Sequence, residues 1–179
     1  MNSYFLLGKL SPYKGIKRHI VSEQNTNDII DEIMRAHRQH KSEYDKISDY
    51  FWRGNVKASC KYIFDFLKKN IRYNIEPDTM QTVKSPAAIL ASGLIGGHND
   101  CKHYSIFFGG IADSWKRKGK PINWCYRFAN YKEGRRIPHH IFVVINPQTS
   151  SEIWCDAVLP YFDYKKPYVN KIDKKYGVI

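Results

Sequence analysis

The first half of the chain places apolar residues three and four positions apart, which is the period of a helix with one buried face. Asn25 or Thr26 can cap the first of these helices. One face of this helix consists of Ile29, Ile30, Ile33, Met34 and His37. A second row follows Gly54 and consists of Val56, Cys60, Ile63, Leu67 and Ile71. The pattern therefore predicts two amphipathic helices in this half.

Two further helices are predicted on either side of a glycine-rich break. Ser85 followed by Pro86 is a cap with proline at the first helical position, so a short helix should continue through residues 87–91. The break contains Gly93, Gly96 and Gly97. The next helix should begin at Cys101, run to about residue 118 and stop at Gly119. Small residues inside it predict close packing against a neighbour; they are Gly109, Gly110 and Ala112.

The second half changes to short segments that are rich in β-branched and aromatic residues and are separated by turn-forming residues. These segments cover residues 122–131, 137–145 and 152–158. Helices followed by strands predict an α+β fold with a short antiparallel sheet. We divide the chain into a helical N-terminal extension (1–55), a core (56–160) and a basic, tyrosine-rich C-terminal extension (161–179).

Composition and charge narrow the class of protein. A hydrophobic fraction of 42% with 15% aromatic residues is typical of a folded domain. The net charge of +12 attracts polyanions, but the lysines are spread from Lys9 to Lys175 without a nucleic-acid-binding motif. No apolar run approaches the roughly 18 residues of a membrane span, and residues 1–9 lack the features of a signal peptide. We therefore expect a protein that is cytoplasmic on synthesis, without a membrane partner and without nucleic acid as its main ligand.

One of the four cysteines stands in a position suited to chemistry. The four are Cys60, Cys101, Cys125 and Cys155, and without a CxxC pair or a sign of secretion they are expected to be reduced. Cys101 opens a predicted helix, where free amide N–H groups and the helix dipole favour a nucleophilic thiolate. The same amides could hold an oxyanion. A cysteine at a helix start is more often simple packing, so Cys101 needs catalytic partners.

His140 and Asp156 lie on the two arms of a predicted hairpin. If residues 146–150 form its loop, Ile145 pairs with Ser151, and His140 lies directly opposite Asp156 with Cβ atoms about 4.5–5.5 Å apart. A loop shorter by one residue would shift this register by one. A carboxylate that orients the imidazole leaves its other nitrogen free to exchange a proton with a thiol. The sequence therefore predicts a site built from a cysteine, a histidine and an aspartate.

Other interpretations of these residues stay open. His140 alone is compatible with a structural histidine, and Asp156 alone with a carboxylate that binds backbone at a strand end. His139 is a rival base, although it points to the opposite face of the strand. A zinc site with irregular ligand spacing is another rival, and its ligands would be His98, Cys101, His103 and Cys155. Several large aromatic residues could line a substrate groove but are mostly expected in the core; they are Trp115, Trp124, Tyr126, Phe128 and Trp154.

Four segments taken together resemble the transglutaminase-like cysteine peptidase superfamily; they are Ser85–Gly93, Asp100–Ser105, His140–Val144 and Trp154–Asp156. In that family a cysteine opens the central helix after a Gly-Asp-Cys-like turn, a histidine begins one strand and an aspartate lies on the next. The resemblance covers about residues 56–160 and includes Ile71-Arg-Tyr73. Asn99 replaces the usual glycine before Asp100, which changes the expected shape of the oxyanion region. By this match the nucleophile is Cys101, the base His140 and the orienting acid Asp156.

The resemblance implies a papain-like fold and cysteine-dependent acyl transfer on an amide, of the peptidase, amidase or transglutaminase type, without a cofactor or a metal. The expected substrate is a peptide, protein or cell-wall amide. Residues 125–128 and 166–173 are most similar to small phage and prophage proteins of this family, which implies association with a virion. The basic C-terminal extension would then contact phage structural proteins. The alternative is a non-catalytic structural component of a virion or tail that keeps the fold.

Overall fold

The computed structural model of the 179-residue chain describes residues 2–10, 19–21, 26–77, 81–134 and 138–175. The helices in this part are α1 (Ser3–Leu7), α2 (Thr26–Gln39), α3 (Lys41–Ile47), α4 (Val56–Asn70), α5 (Pro86–Leu94) and α6 (Cys101–Arg117), with a 3₁₀ turn at Ser48–Phe51. The strands are β1 (His19–Val21), β2 (Gln81–Val83), β3 (Trp124–Asn130), β4 (His140–Ile145), β5 (Ile153–Cys155) and β6 (Asn170–Lys174). No helix in the described part is both long and apolar enough to cross a membrane.

The helix starts follow the capping signals in the sequence. The Asn55 side chain accepts a hydrogen bond from the Ala58 amide at 2.9 Å, and Ser85 accepts one from Ala88 at 3.1 Å. The predicted helices α2, α4, α5 and α6 are therefore confirmed. Thr26 is the first helical residue and not a cap, and Asn25 lies outside the described residues. The helix after Pro86 continues to Leu94, beyond the predicted end at residue 91, and includes Gly93.

The α+β prediction with an antiparallel sheet is confirmed. Four strands form a sheet in the order β5-β4-β3-β6, and every neighbouring pair is antiparallel. A separate two-stranded pair, β1 with β2, was not predicted. The strand β6 was not predicted either: residues 170–174 pair with β3 and complete one edge of the sheet.

The helix α6 lies at the centre of the molecule. It contacts β3 and β4 as well as α2, α3 and α5, and residues 102–115 are all buried. Its two glycines permit this packing, because a Cβ atom at Gly109 would collide with the Tyr126 ring and one at Gly110 with the Tyr44 ring. The predicted close approach at these small residues is thus confirmed, and α6 presents its first turn at one end of the sheet.

The far face of the sheet is held by a buried arginine. Arg127 binds Glu152 with its Nη1 atom at 2.6 Å and Asp173 with its Nε atom at 2.7 Å. Burial opposes the charge of Arg127, but the two carboxylates outweigh it and raise the pKa of the guanidinium. Asp173 belongs to β6, so this ion pair attaches the C-terminal segment to the sheet.

Candidate active site

The first turn of α6 is fixed by a reciprocal cap. The Asp100 carboxylate accepts a hydrogen bond from the Lys102 amide at 3.0 Å, and the Asp100 amide donates to His103 Nδ1 at 3.1 Å. Such a capping box satisfies the free amides of a helix start. It places Cys101 at the first helical position, where the side chain is partly exposed. The predicted helix start at Cys101 is therefore confirmed.

The structure brings the second and third predicted site residues together. His140 Nε2 lies 2.6 Å from Asp156 Oδ2. The other carboxylate oxygen of Asp156 accepts a hydrogen bond from the Val158 amide at 3.1 Å, so the carboxylate is held from both sides. Ser105, one turn into α6, lies with its hydroxyl 2.9 Å from the Ile141 carbonyl oxygen and 2.7 Å from that of Cys101. This contact fixes the start of β4 against the start of α6.

The predicted register of the hairpin is wrong, although the two residues still meet. Ile145 pairs with Ile153 and not with Ser151, because the connection is a longer turn that includes Ser151 and Glu152. The shift is two positions, and side chains on a strand alternate faces with a period of two. Asp156 therefore stays on the face of His140 and reaches it diagonally from just beyond the end of β5.

His140 also contacts the cysteine. Burial alone would lower the pKa of His140, but hydrogen bonds to Asp156 and Cys101, together with their negative charge, outweigh it and raise the pKa to about 10. Because Nε2 faces Asp156, the nitrogen left for the thiol is Nδ1. A protonated imidazole beside the sulfur stabilises the thiolate, which is the reactive form of cysteine.

A buried ionic network forms the wall next to Cys101. Glu76 is its centre: its Oε2 lies 2.6 Å from the Thr82 amide and 3.3 Å from Lys102 Nζ, and its Oε1 lies 3.4 Å from Lys84 Nζ. Lys102 also forms an ion pair with Asp100. Burial works against the Glu76 carboxylate, but its charged neighbours and Thr82 keep its pKa below the usual range. The network joins the extended segment 72–77, β2 and the start of α6 into one rigid wall.

The predicted rival metal ligands do not come together. The described part of the chain has one group of three side chains placed to hold a metal ion, Glu76, Asp100 and His103, and it contains neither cysteine of the rival set. His98 instead hydrogen-bonds the Ile75 carbonyl oxygen at 3.1 Å. Both carboxylates of the group already have a lysine ammonium as counter-ion, so this cluster fits a structural network better than a cation site.

Cys101 and His140 open into a cleft of about 710 Å³. Its apolar lining is Ile29, Tyr73, Ile75, Phe128, Pro138 and Ile141. Phe128 is thus the member of the alternating aromatic set that reaches the cleft, whereas Trp124 and Tyr126 pack in the core. His139 also lines the cleft, but the hydrogen bond to Asp156 belongs to His140.

Tyr73 is a functional candidate that residue-by-residue reasoning did not single out, although it lies in the Ile71-Arg-Tyr73 segment of the resemblance. Burial, reinforced by the negative charges of Cys101, Asp100 and Asp156, raises the pKa of its phenol. The hydroxyl therefore stays protonated and can donate a hydrogen bond in the cleft. Glu76, Lys84 and Lys102 carried no signal in the sequence, because their pairing depends on the path of segment 72–77.

The remaining cysteines are buried in the core. Burial raises the pKa of Cys125 to about 12, and burial, reinforced by the neighbouring Cys60, also raises the pKa of Cys155. Of the four thiols only Cys101 is partly exposed. The comparisons with protein-family models, with curated proteins and with solved structures give no match for this chain.

Proposed function

We propose that this protein is a cysteine-dependent acyl-transfer enzyme that acts on an amide, with Cys101 as nucleophile, His140 as general base and acid, and Asp156 as the group that orients His140. The observation that carries the proposal is the 2.6 Å contact between His140 Nε2 and Asp156 Oδ2, with Cys101 and His140 lining the same cleft. A thiol, an imidazole and a carboxylate in this relation form the apparatus of nucleophilic acyl transfer.

The reaction begins when the Cys101 thiolate attacks the amide carbonyl carbon and a C–S bond forms. The electron pair of the C=O bond moves to oxygen, and His140 gives its proton to the amide nitrogen as the C–N bond breaks. An amine leaves and a thioester remains on Cys101. His140, now neutral, takes a proton from water or from a second amine, which attacks the thioester and releases an acid or a new amide together with the thiolate.

Two donors are available for the negative oxygen of the tetrahedral intermediate. The Asp100 carboxylate occupies the amides of Lys102 and His103, and no described acceptor occupies the amide of Cys101 itself. The Tyr73 hydroxyl is the second donor on the cleft wall. Donors already in place where charge develops are an important source of rate acceleration.

The fold proposed for the core is papain-like or transglutaminase-like, because the order of cysteine-bearing helix, histidine strand and aspartate strand runs through α6, β4 and β5. The substrate classes that follow are peptide bonds, glutamine side chains and cell-wall peptide amides, and no cofactor is required. Association with a phage particle remains part of this proposal and rests on the resemblance alone.

A structural role is the second candidate, and one observation favours it. The C-terminal segment exposes several large apolar side chains, as expected of a surface that docks on a partner; they are Tyr161, Tyr164, Val169 and Ile172. An enzyme can carry such a surface as well, so measured turnover distinguishes the two candidates.

The test is trapping of the acyl-enzyme. The protein is mixed with a synthetic peptide-amide library, quenched in acid and digested, and a thioester on Cys101 is sought by mass spectrometry. We expect acylation of the wild type and of Cys125→Ala, whose thiol is buried in the sheet away from α6, and none of Cys101→Ser. Acylation that survives in Cys101→Ser, or none in the wild type for any library member, would contradict the proposal.

A further inference from the structure

The charged groups on the polar wall of the cleft neutralise one another. Glu76, Asp100 and Lys102 line the cleft, and all three belong to the ionic network that also contains Lys84. Two carboxylates face two ammonium groups in this network, so it presents no net charge. Each member is held by a protein counter-ion and is not available to a substrate.

Lys132 differs from these groups. It lines the cleft from the connection between β3 and β4, and its side chain is exposed. Its amide donates to Asn130 Oδ1 at 3.0 Å, which fixes the backbone of this turn. Among the described residues no carboxylate pairs with its ammonium group, and the neighbouring Glu133 does not line the cleft. Within the described lining, Lys132 is therefore the lysine whose ammonium group has no carboxylate partner and can bind a ligand.

A second lysine lies outside the cleft lining but near a ring that contacts His140. Lys166 Nζ lies 4.3 Å from the centre of the Tyr131 ring, and that ring lies 5.7 Å from the ring of His140. Lys166 has no carboxylate partner in the described part of the chain. The described cleft lining thus carries one ammonium group without a carboxylate partner, that of Lys132, while the wall of Glu76, Asp100 and Lys102 is neutral. The protein as a whole has a charge of +12, which adds to this field.

We infer that the cleft selects acidic substrates: peptide amides that carry a carboxylate near the reacting carbonyl, which Lys132 binds. This inference rests on the proposed function, because it assigns the substrate class of the same site. A carboxylate there would gain the attraction of Lys132 without displacing an existing ion pair. A cationic substrate would be repelled by Lys132 and would find Glu76 and Asp100 already paired with lysines.

The test compares two alkylating reagents of nearly equal size, iodoacetate and iodoacetamide, which differ in charge. In each case the Cys101 sulfur forms a bond to carbon and iodide leaves. The ratio of the two rates therefore measures how strongly the site favours the negatively charged reagent over the neutral one. We expect Lys132→Gln to lower the iodoacetate to iodoacetamide ratio by about twofold to threefold and Lys132→Glu by about fivefold to tenfold, with smaller effects in high salt. The matched control is Lys57→Glu on α4, an exposed lysine outside the cleft, which should leave the ratio unchanged.

A second measurement uses the peptides acylated in the trapping experiment. Peptides with glutamate beside the reacting amide should exceed their glutamine analogues in kcat/KM, and Lys132→Gln should remove most of that preference through a higher KM. Rapid alkylation of Cys101 with a ratio that does not respond to Lys132 would overturn the acidic-substrate inference and leave the proposed function standing. A Cys101 that reacts with neither reagent in the folded wild type would overturn the proposed function, and this inference with it.

Discussion

Two histidine–aspartate pairs lie within the same region of the molecule and behave in opposite ways. His140 and Asp156 approach to 2.6 Å at the cleft, and His103 and Asp100 approach to 3.1 Å under the first turn of α6. Burial outweighs the attraction of Asp100 and lowers the pKa of His103, whereas the pKa of His140 is raised to about 10. At neutral pH the His140 ring is therefore protonated on both nitrogens, whereas the His103 ring is neutral.

The neighbours of each ring explain the difference. His103 is fully buried, and the ammonium groups of Lys84 and Lys102 disfavour a further positive charge beside it. A neutral His103 can accept the Asp100 amide hydrogen and complete the helix cap. His140 faces the Cys101 sulfur and the Asp156 carboxylate, both of which favour the imidazolium. One pair thus fixes a helix start, and the other is suited to proton transfer.

The largest expected effect separates the two histidines by activity. His140→Ala should lower acyl transfer by at least about 10³-fold, because it removes both the general base and the partner of the thiolate. His103→Gln should retain activity within about tenfold, since glutamine at this position can still accept the Asp100 amide hydrogen in a capping box. The measurement is acylation of Cys101 by a responsive peptide. Equal losses in both variants would abolish the distinction between the pairs.

The next effect concerns stability. Glu76→Gln removes the central carboxylate of the network and leaves Lys84 and Lys102 buried with one carboxylate, so the free energy of unfolding should fall by about 3 kcal/mol. Denaturant unfolding followed by circular dichroism measures this loss. The control is Asp65→Asn in the exposed pair with Lys61, which should cost less than about 1 kcal/mol. If Glu76→Gln leaves the free energy of unfolding unchanged, the ion pairs of this network do not stabilise the fold.

The last effect is the pH dependence of stability that His140 contributes. Its folded pKa of about 10 lies above the ordinary value of 6.5, so its stabilisation is fully present below pH 6.5 and is lost as the pH rises through 10. The wild type should therefore lose more unfolding free energy between pH 7 and 10 than His140→Gln, by a few kcal/mol at most. Parallel denaturation curves at the two pH values provide the comparison, and equal losses would place the pKa of His140 near its ordinary value.

Local signals in the sequence were enough to predict most of the helices and the positions of the three candidate site residues relative to them and to the strands. Pro86 and Cys101 begin helices as their flanking residues predict, and strand alternation placed His140 and Asp156 on one face despite the wrong register. The correct register depends on turn geometry: Asn146 and Gln148 adopt positive φ angles of 49° and 65° in a connection longer than a simple loop.

The parts that could not be predicted depend on contacts distant in sequence. Strand β6 forms because Asp173 binds Arg127 at 2.7 Å from 46 residues away, and the periodicity of residues 170–174 alone does not indicate a strand. The ionic wall likewise joins Glu76 to Lys102 through the path of an extended segment. Propensity and pattern describe neighbours along the chain, so they do not report such pairings.

The central claim is that His140 activates Cys101, and the most direct test is site-resolved alkylation of the folded protein with iodoacetamide across pH 5–10. The buried thiols of Cys125 and Cys155 serve as internal controls, since burial raises the pKa of both. The account predicts that Cys101 reacts at pH 6 faster than a free cysteine, whose thiol has a pKa of about 8.5, and that His140→Ala removes this advantage. A Cys101 that follows the free-cysteine profile in both proteins, or that reacts only after unfolding, would contradict the claim.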